Sequence, residues 1–179
     1  MSNMIRKKGY QELLEAFFLL DERHRKQIII NFAGAFDSVQ EKELFLNIIG
    51  ECEQIKYHGI VNGEAKRSLF KDSHVFCLPT SYFEGQPISI LEAYASGCVV
   101  LTTGQCGILD IFQNNENGFL IKEPTAYAVK VSIEESLQRK DELFKIGLLN
   151  NIIAKEKFRE FKPPKAQWNF IPMAMVAWA

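Results

Sequence analysis

The chain has 179 residues, of which 47% are hydrophobic and 24% are charged, and its formal net charge is −1. This composition excludes a disordered chain and a bulk polycation that coats nucleic acid, while the length suits one domain with a substantial core. The four cysteines form no CxxC pair and have no histidine at zinc-ligand spacing. They therefore indicate neither a metal site nor a disulfide framework, and we expect a reducing, cytoplasmic compartment.

In chain order, short apolar segments alternate with segments of helical periodicity. The sequence predicts strands over residues 27–34, 54–59, 74–79, 98–103 and 119–121, and helices over residues 11–20, 38–49, 64–71, 87–96, 124–137 and 141–158. Ser38, with Glu41 three residues later, suits the capping box that begins a helix. Because this alternation is typical of βαβ units, we expect an α/β fold with a parallel sheet covered on both faces.

The C-terminal segment differs from the rest in composition. Pro163 and Pro164 end any helix, and residues 168–179 are almost entirely apolar. No stretch approaches about 20 apolar residues, so the sequence predicts no transmembrane segment. Three interpretations stay open: the segment packs on the core, covers a surface built for a partner, or is a frayed terminus. We therefore divide the chain into a domain over residues 1–160 and an atypical apolar tail over residues 161–179.

Two carboxylates and a predicted helix start mark the candidate site. Glu84 lies in a loop just after a strand, and Glu92 lies about a turn and a half into the following helix. Both can face the crevice at the carboxyl ends of the strands, and Gly85 lets a ligand approach the backbone. The amides of Ile88 and Ser89 at the helix start favour a phosphate, and carboxylates accept hydrogen bonds from sugar hydroxyls. The plainer alternatives are a solvated Glu92 and a helix-capping Glu84.

These residues carry a family resemblance. Residues 84–97, EGQPISILEAYASG, resemble the Glu-x7-Glu motif in the C-terminal donor domain of retaining GT-B glycosyltransferases, the group 1 or family 4 class. Further matches are SNMIRKKGYQELLEAF with its first strand and helix, HVFCLPTSYFEG, VVLTTGQCGILDIF and NGFL. The resemblance covers residues 1–160. It implies a Rossmann-like three-layer αβα sandwich, one half of a GT-B fold.

The resemblance also implies a role for individual residues. Glu92 would hold the ribose hydroxyls, Glu84 the hydroxyls of the donor sugar, and Lys8 the donor diphosphate. Glu84 and Lys8 are then the candidate catalytic residues, since a charge on the diphosphate stabilises the leaving group. The remaining donor-binding candidates contact the sugar and phosphate through their backbone or flank the nucleotide base: Gly85, Gln86, Ile88 and Ser89 in the first group, Val61 and Lys66 in the second.

Several positions depart from the family pattern. Asn3 stands where many members have an arginine that also binds the diphosphate, and Arg6 or Lys7 could substitute for it. Gln86 and Asp110 stand where an apolar residue and a glutamate are frequent. The family has a second, N-terminal domain that binds the acceptor, and the Pro-Pro and Trp-rich tail replaces its closing helix. We therefore expect a fragment that is inactive alone and needs the missing N-terminal GT-B domain.

The implied function is transfer of a hexosyl group from a UDP-, GDP- or ADP-sugar to an acceptor hydroxyl, with retention, in surface polysaccharide biosynthesis. No cofactor or metal is implied, and the full-length enzyme would lie peripheral to the inner membrane. One alternative is a non-catalytic α/β domain that binds or regulates a partner. Another is a nucleotide-sugar epimerase, although His24, His58 and His74 do not form the acid–base set it needs, and His58 suits a structural role. No basic stripe interleaved with aromatics indicates nucleic-acid binding.

Overall fold

The computed structural model of the chain describes residues 3–83, 85–157 and 173–178. Its strands are β1 Asn3–Met4, β2 Ile28–Ala33, β3 Ala35–Phe36, β4 Ile55–Tyr57, β5 Val75–Leu78, β6 Val99–Thr103, β7 Gly118–Ile121 and β8 Met173–Trp178. Its α-helices are α1 Tyr10–Leu19, α2 Glu22–Arg25, α3 Val39–Ile49, α4 Gly63–Lys71, α5 Ile88–Ala95, α6 Ala126–Gln138 and α7 Lys140–Lys157. Single 3-10 turns cover Arg6–Lys8 and Cys106–Ile108.

A parallel sheet of six strands organises the described residues. The strand order is β4-β2-β8-β5-β6-β7, and every pairing in this sheet is parallel. β1 and β3 form a separate parallel pair. The α/β, Rossmann-like fold predicted from the sequence is therefore confirmed, with helices following the strands as crossover connections.

Both faces of the sheet are buried, as the alternating side chains of the strands require. One core cluster takes alternate residues of the strands, such as Ile30, and packs them against α1, α3 and α6. The other cluster takes the intervening residues, such as Phe76, and packs them against α4, α5 and α7. Because the central strands β2, β8, β5 and β6 contribute to both clusters, their sequences are mostly apolar. This property made β2, β5 and β6 predictable.

The capping box predicted at the start of α3 forms in part. The Ser38 hydroxyl accepts a hydrogen bond from the Glu41 amide at 3.1 Å. The Glu41 carboxylate, however, binds Arg6 Nε at 2.8 Å, 35 residues away in the chain. Glu41 thus ties the N-terminal turn to α3, an interaction that local spacing does not reveal.

The C-terminal strand β8 lies at the centre of the sheet. It pairs with all of β2, from Ile28 to Ala33, and with Val75–Cys77 of β5. Residues 173–178 therefore take the first of the three alternatives, packing on the core, while residues 158–172 and 179 lie outside the described residues. This differs from the division at residue 160, because a strand beyond that boundary belongs to the same sheet.

The start of the chain differs from the strand that the family resemblance implies. Of the residues described there, Asn3 and Met4 form a strand, and they pair with β3 rather than within the six-stranded sheet. The register explains why: Trp178 of β8 lies opposite Ala33, and Asn3 lies opposite Ala35. β8 therefore lies beside β2, and β1 lies beside β3, which directly follows β2 in the chain. The pairing beside β2 comes from β8 on this side and not from the start of the chain.

Candidate functional site

The candidate site is built from segments at the carboxyl edge of the sheet, where ligands of open α/β folds bind. The N-terminal turn lies against the loop that follows β5. The carbonyl oxygen of Lys7 accepts hydrogen bonds from the amides of Ser81 at 2.7 Å and Tyr82 at 3.1 Å. It also accepts from the hydroxyl of Thr80 at 3.1 Å. These bonds fix the backbone next to Lys8, whose side chain is half-buried.

Gly9 is required by this close packing. Its φ is +88°, in the left-handed region that side chains disfavour, and a Cβ there would overlap the backbone carbonyl of Pro79. The Lys-Gly pair of the sequence therefore has a steric basis. Only glycine lets the turn that carries Lys8 lie directly on the strand end at Pro79.

The loop after β6 joins the same edge. A Cβ on Gly107 would overlap the carbonyl of Gly85, so the two backbones are in direct contact. The hydroxyl of Thr102 donates to the Leu78 carbonyl at 3.0 Å, and that of Thr103 donates to the Thr80 carbonyl. The ends of β5 and β6, and the loops they carry, are therefore tied together. Gly107, Thr102 and Thr103 were not predicted as site residues, although Gly104 and Gly107 mark a turn after the predicted strand over residues 98–103.

Helix α5 points its first turn at this edge. Pro87 precedes its first residue, and the Ile90 amide bonds to the Pro87 carbonyl at 3.0 Å. Ile88 is exposed and Ser89 is half-buried, so the start of the helix is accessible from solvent. The positive end of the helix dipole therefore faces the loop around Gly85, where it favours an anionic group.

Glu92 is paired with Lys66. The Lys66 ammonium lies 2.7 Å from Oε1 of Glu92, and the two side chains are 25% and 24% exposed. Lys66 comes from α4, which follows β4 on the same side of the sheet as α5. A carboxylate held this way is oriented by a charge-assisted hydrogen bond rather than being a solvated helix residue.

The structure brings some of the predicted residues into contact and leaves others apart or undescribed. Glu84 lies outside the described residues. Gly85 and Gln86 are exposed on the loop, and Val61 packs at the margin of the core cluster that includes α5. Of the cations considered as a replacement for an arginine at Asn3, Arg6 binds Glu41 instead.

The surroundings of His58 favour a structural role for this residue. His58, near the candidate site in sequence, bonds through Nε2 to the side chain of Asn31 at 2.9 Å, which is a structural contact. Burial, and then the nearby charge of Lys56, lowers the pKa of His58.

Within residues 3–83, 85–157 and 173–178, no group of three or more His, Cys, Asp or Glu side chains is arranged to hold a metal ion. No helix in this part of the chain is both long and apolar enough to cross a membrane.

The sequence matches a protein family over most of its length. The model for glycosyl transferases group 1 matches residues 1–148. The chain therefore belongs to the group 1 glycosyltransferase family.

Curated relatives agree with this assignment. The chain is 30% identical over 123 residues to an uncharacterized glycosyltransferase of Methanocaldococcus jannaschii, covering 68% of this chain and 31% of that protein. It is 27% identical over 138 residues to the capsular polysaccharide biosynthesis glycosyltransferase CapM of Staphylococcus aureus, covering 75% of this chain and 35% of that protein. The chain thus spans about a third of the length of these relatives.

Solved structures share the fold. HepE of Anabaena, crystallised with UDP, superposes with a TM-score of 0.73 at 18% identity, covering 88% of this chain and 43% of HepE. The C-terminal domain of a group 1 glycosyl transferase from Francisella tularensis superposes with a TM-score of 0.72 at 19% identity, covering 88% of this chain and 83% of that domain. At these identities the likeness concerns the fold.

Proposed function

We propose that this chain is the donor-binding part of a retaining GT-B glycosyltransferase of family 4, which transfers a hexosyl group from a nucleoside-diphosphate sugar to an acceptor hydroxyl. The observation that carries the proposal is the Lys66–Glu92 pair at 2.7 Å, with Glu92 four residues after the start of α5. An oriented carboxylate next to a helix N-terminus suits a ligand that has both hydroxyls and a diphosphate.

Each residue of the site has a distinct part in this proposal. Glu92 accepts hydrogen bonds from the ribose hydroxyls, and Lys66 orients it. The diphosphate lies at the amides of Ile88 and Ser89, with Lys8 as its cation. Glu84 positions the sugar hydroxyls, while Gly85 and Gln86 contact the ligand through their backbone and Val61 lies beside the base. Relatives crystallised with UDP and UDP-glucose make a uridine nucleotide the first ligand to test.

The proposed reaction needs no cofactor or metal. As the glycosidic bond breaks, negative charge grows on the leaving phosphate, and Lys8 and the helix amides stabilise it. The leaving phosphate takes the proton of the acceptor hydroxyl, which attacks from the same face, so the anomeric configuration is retained. Glu84 is then a positioning residue rather than a covalent nucleophile. An N-terminal GT-B domain binds the acceptor. Without that domain, the chain binds nucleotide weakly and turns over no substrate.

The biological setting proposed is surface polysaccharide assembly on the cytoplasmic side of the inner membrane. The support is the likeness to a capsular polysaccharide glycosyltransferase.

A titration of this chain with UDP, GDP and ADP, followed by amide NMR, tests the donor site. We expect one nucleotide to shift the amides of residues 85–92 with a Kd on the order of 1 mM. Glu92→Gln should weaken that binding about tenfold, which is the loss of a hydrogen bond to a charged group. Glu64→Gln is the matched control, because Glu64 lies on α4 in an exposed pair with Arg67 at 3.4 Å. If none of the three nucleotides binds, or if both variants bind equally well, the non-catalytic alternative replaces the donor-site proposal.

A further inference from the structure

The position of β8 defines a second site that is independent of the proposed function. We call the space between β2 and β5 the central slot. It is bounded by Ile28–Ala33 on one side and Val75–Cys77 on the other, and residues 173–178 fill it. The residues that pair with β8 are about 100 or more positions away in the sequence. The contacts of the slot therefore depend on the six residues of the strand and not on how that strand is joined to the chain.

The slot binds the main chain of its occupant. The Met173 amide donates to the Gln27 carbonyl at 2.8 Å, and the His74 amide donates to the Ala174 carbonyl at 2.8 Å. From these points the parallel pairing continues along both neighbouring strands. Main-chain hydrogen bonds of this kind contribute affinity that does not depend on the side chains of the bound strand.

Two buried polar side chains add to this recognition, one from each side of the slot. Nδ1 of His74 accepts the Ala174 amide at 3.0 Å, and His74 is 7% exposed. Nδ2 of Asn31 donates to the Met175 carbonyl at 3.2 Å, and Asn31 is 8% exposed. The bond between Asn31 and His58 holds the amide in this orientation. Both side chains contact backbone atoms of the occupant, so the slot has donors and acceptors built for an extended strand.

The side chains of the occupant must be uncharged and apolar. Met173, Met175 and Ala177 enter one core cluster, and Val176 enters the other. Met175 and Val176 are completely buried. A charge at either position would be placed in the core without a partner, at a high cost in stability.

We propose that the central slot is a strand-binding site for an extended, uncharged apolar peptide, which residues 173–178 occupy within the chain and which accepts the same segment as a separate molecule. The physical reason is that detaching the strand from the chain removes none of its contacts in the slot. The covalent connection favours the internal strand through its effective concentration, on the order of millimolar for a flexible link. A separate peptide therefore binds measurably once the internal strand is weakened.

The test uses the full chain with Val176→Asp, which weakens the internal strand and leaves the slot residues intact. A synthetic peptide of residues 171–179 is added, and thermal unfolding and circular dichroism are recorded together with the anisotropy of a labelled copy. We expect the peptide to raise the Tm of the variant in a saturable way, or to induce its folding if the variant is unfolded alone. No stabilisation and no binding at about 1 mM peptide would overturn the proposal.

A matched control peptide separates slot binding from nonspecific apolar association. N-methylation of Ala174 removes the amide hydrogen that His74 accepts and leaves the side chains unchanged. We expect this peptide to bind at least tenfold more weakly than the unmodified one. In the double variant Val176→Asp, His74→Ala, the difference between the two peptides should shrink, which identifies the contact by coupling. Equal binding of the two peptides to Val176→Asp would contradict the proposed mode of recognition.

Discussion

The carboxyl edge and the central slot are built on the same strands but are held in different ways. At the edge, the contacts are between backbone atoms: those of Lys7 with Ser81, and those of Gly85 with Gly107. Side chains of the candidate site such as Glu92 stay partly exposed there. In the slot, by contrast, Met175 and Val176 are fully buried. The comparison teaches that the edge is held mainly by backbone contacts, whereas the slot depends on the burial of apolar side chains in the core.

The largest expected effect lies at the slot. Phe76 is fully buried and pairs in register with Val176. Phe76→Ala should lower the free energy of unfolding by about 3–5 kcal/mol, because it removes a large core side chain and leaves a cavity. The control is Phe83→Ala, since Phe83 is 76% exposed in the loop at the edge. Denaturant unfolding measures both, and a cost for Phe83→Ala similar to that for Phe76→Ala would break the comparison.

Gly9→Ala tests whether the edge depends on backbone contact. The substitution combines an unfavourable φ of +88° with overlap at the Pro79 carbonyl, and should cost about 2–4 kcal/mol. Gly63→Ala is the control, because its φ is +54° but no heavy atom lies within 4 Å of the added Cβ. It should cost only about 1–2 kcal/mol. Equal losses in urea unfolding would show that the overlap at Pro79 is relieved without cost.

Lys66→Met tests whether a side chain at the carboxyl edge contributes to nucleotide binding rather than to stability. Because the Lys66–Glu92 pair is about a quarter exposed, its loss should change stability by less than about 1 kcal/mol. If Glu92 holds the ribose, nucleotide affinity should fall about fivefold, since the carboxylate loses its orienting partner. Lys66→Arg should retain most of the affinity because it keeps the charge. Calorimetric titration of the two variants decides this, and a stability loss in Lys66→Met without any change in affinity would assign the pair a structural role.

The smallest expected effect concerns pH. Burial lowers the pKa of His58, so the unfolded chain binds a proton at a higher pH than the folded chain does. Stability from this group is therefore present above the unfolded pKa of about 6.5 and is lost as the pH falls below it. His58→Gln should flatten this part of the pH dependence between about pH 7 and 5. Unfolding curves at several pH values measure the slope, and an unchanged slope would place the titration elsewhere.

Local patterns were enough to predict most of the fold. The apolar run at Ile28–Ala33, the Ser38 cap and the helix after Pro87 lie where the sequence predicts them, because each depends on neighbours within a few residues. The position of β8 could not be predicted in the same way. An apolar run such as 173–178 is compatible with several partners, and its place beside β2 depends on pairings far away in the sequence.

The candidate site shows the same difference between local patterns and long-range contacts. The start of α5 was predicted from the sequence pattern, and the motif with Glu92 was indicated by the family resemblance. The contacts of Glu92 with Lys66 and of Glu41 with Arg6 could not be predicted from spacing, because long side chains form such ion pairs only after the helices have packed. Gly9 follows Lys8 in the sequence, but the steric requirement for glycine at this position appears only when Pro79 is placed beside it.

The register of β8 and β1 has a practical consequence for protein engineering. β8 ends opposite Ala33 and β1 begins opposite Ala35, so Trp178 and Asn3 lie next to each other along β2 and β3. A designed peptide link between these two residues would need to bridge only that short step, and the domain could be opened at a surface loop instead. Such a rearranged domain would retain the order of its strands.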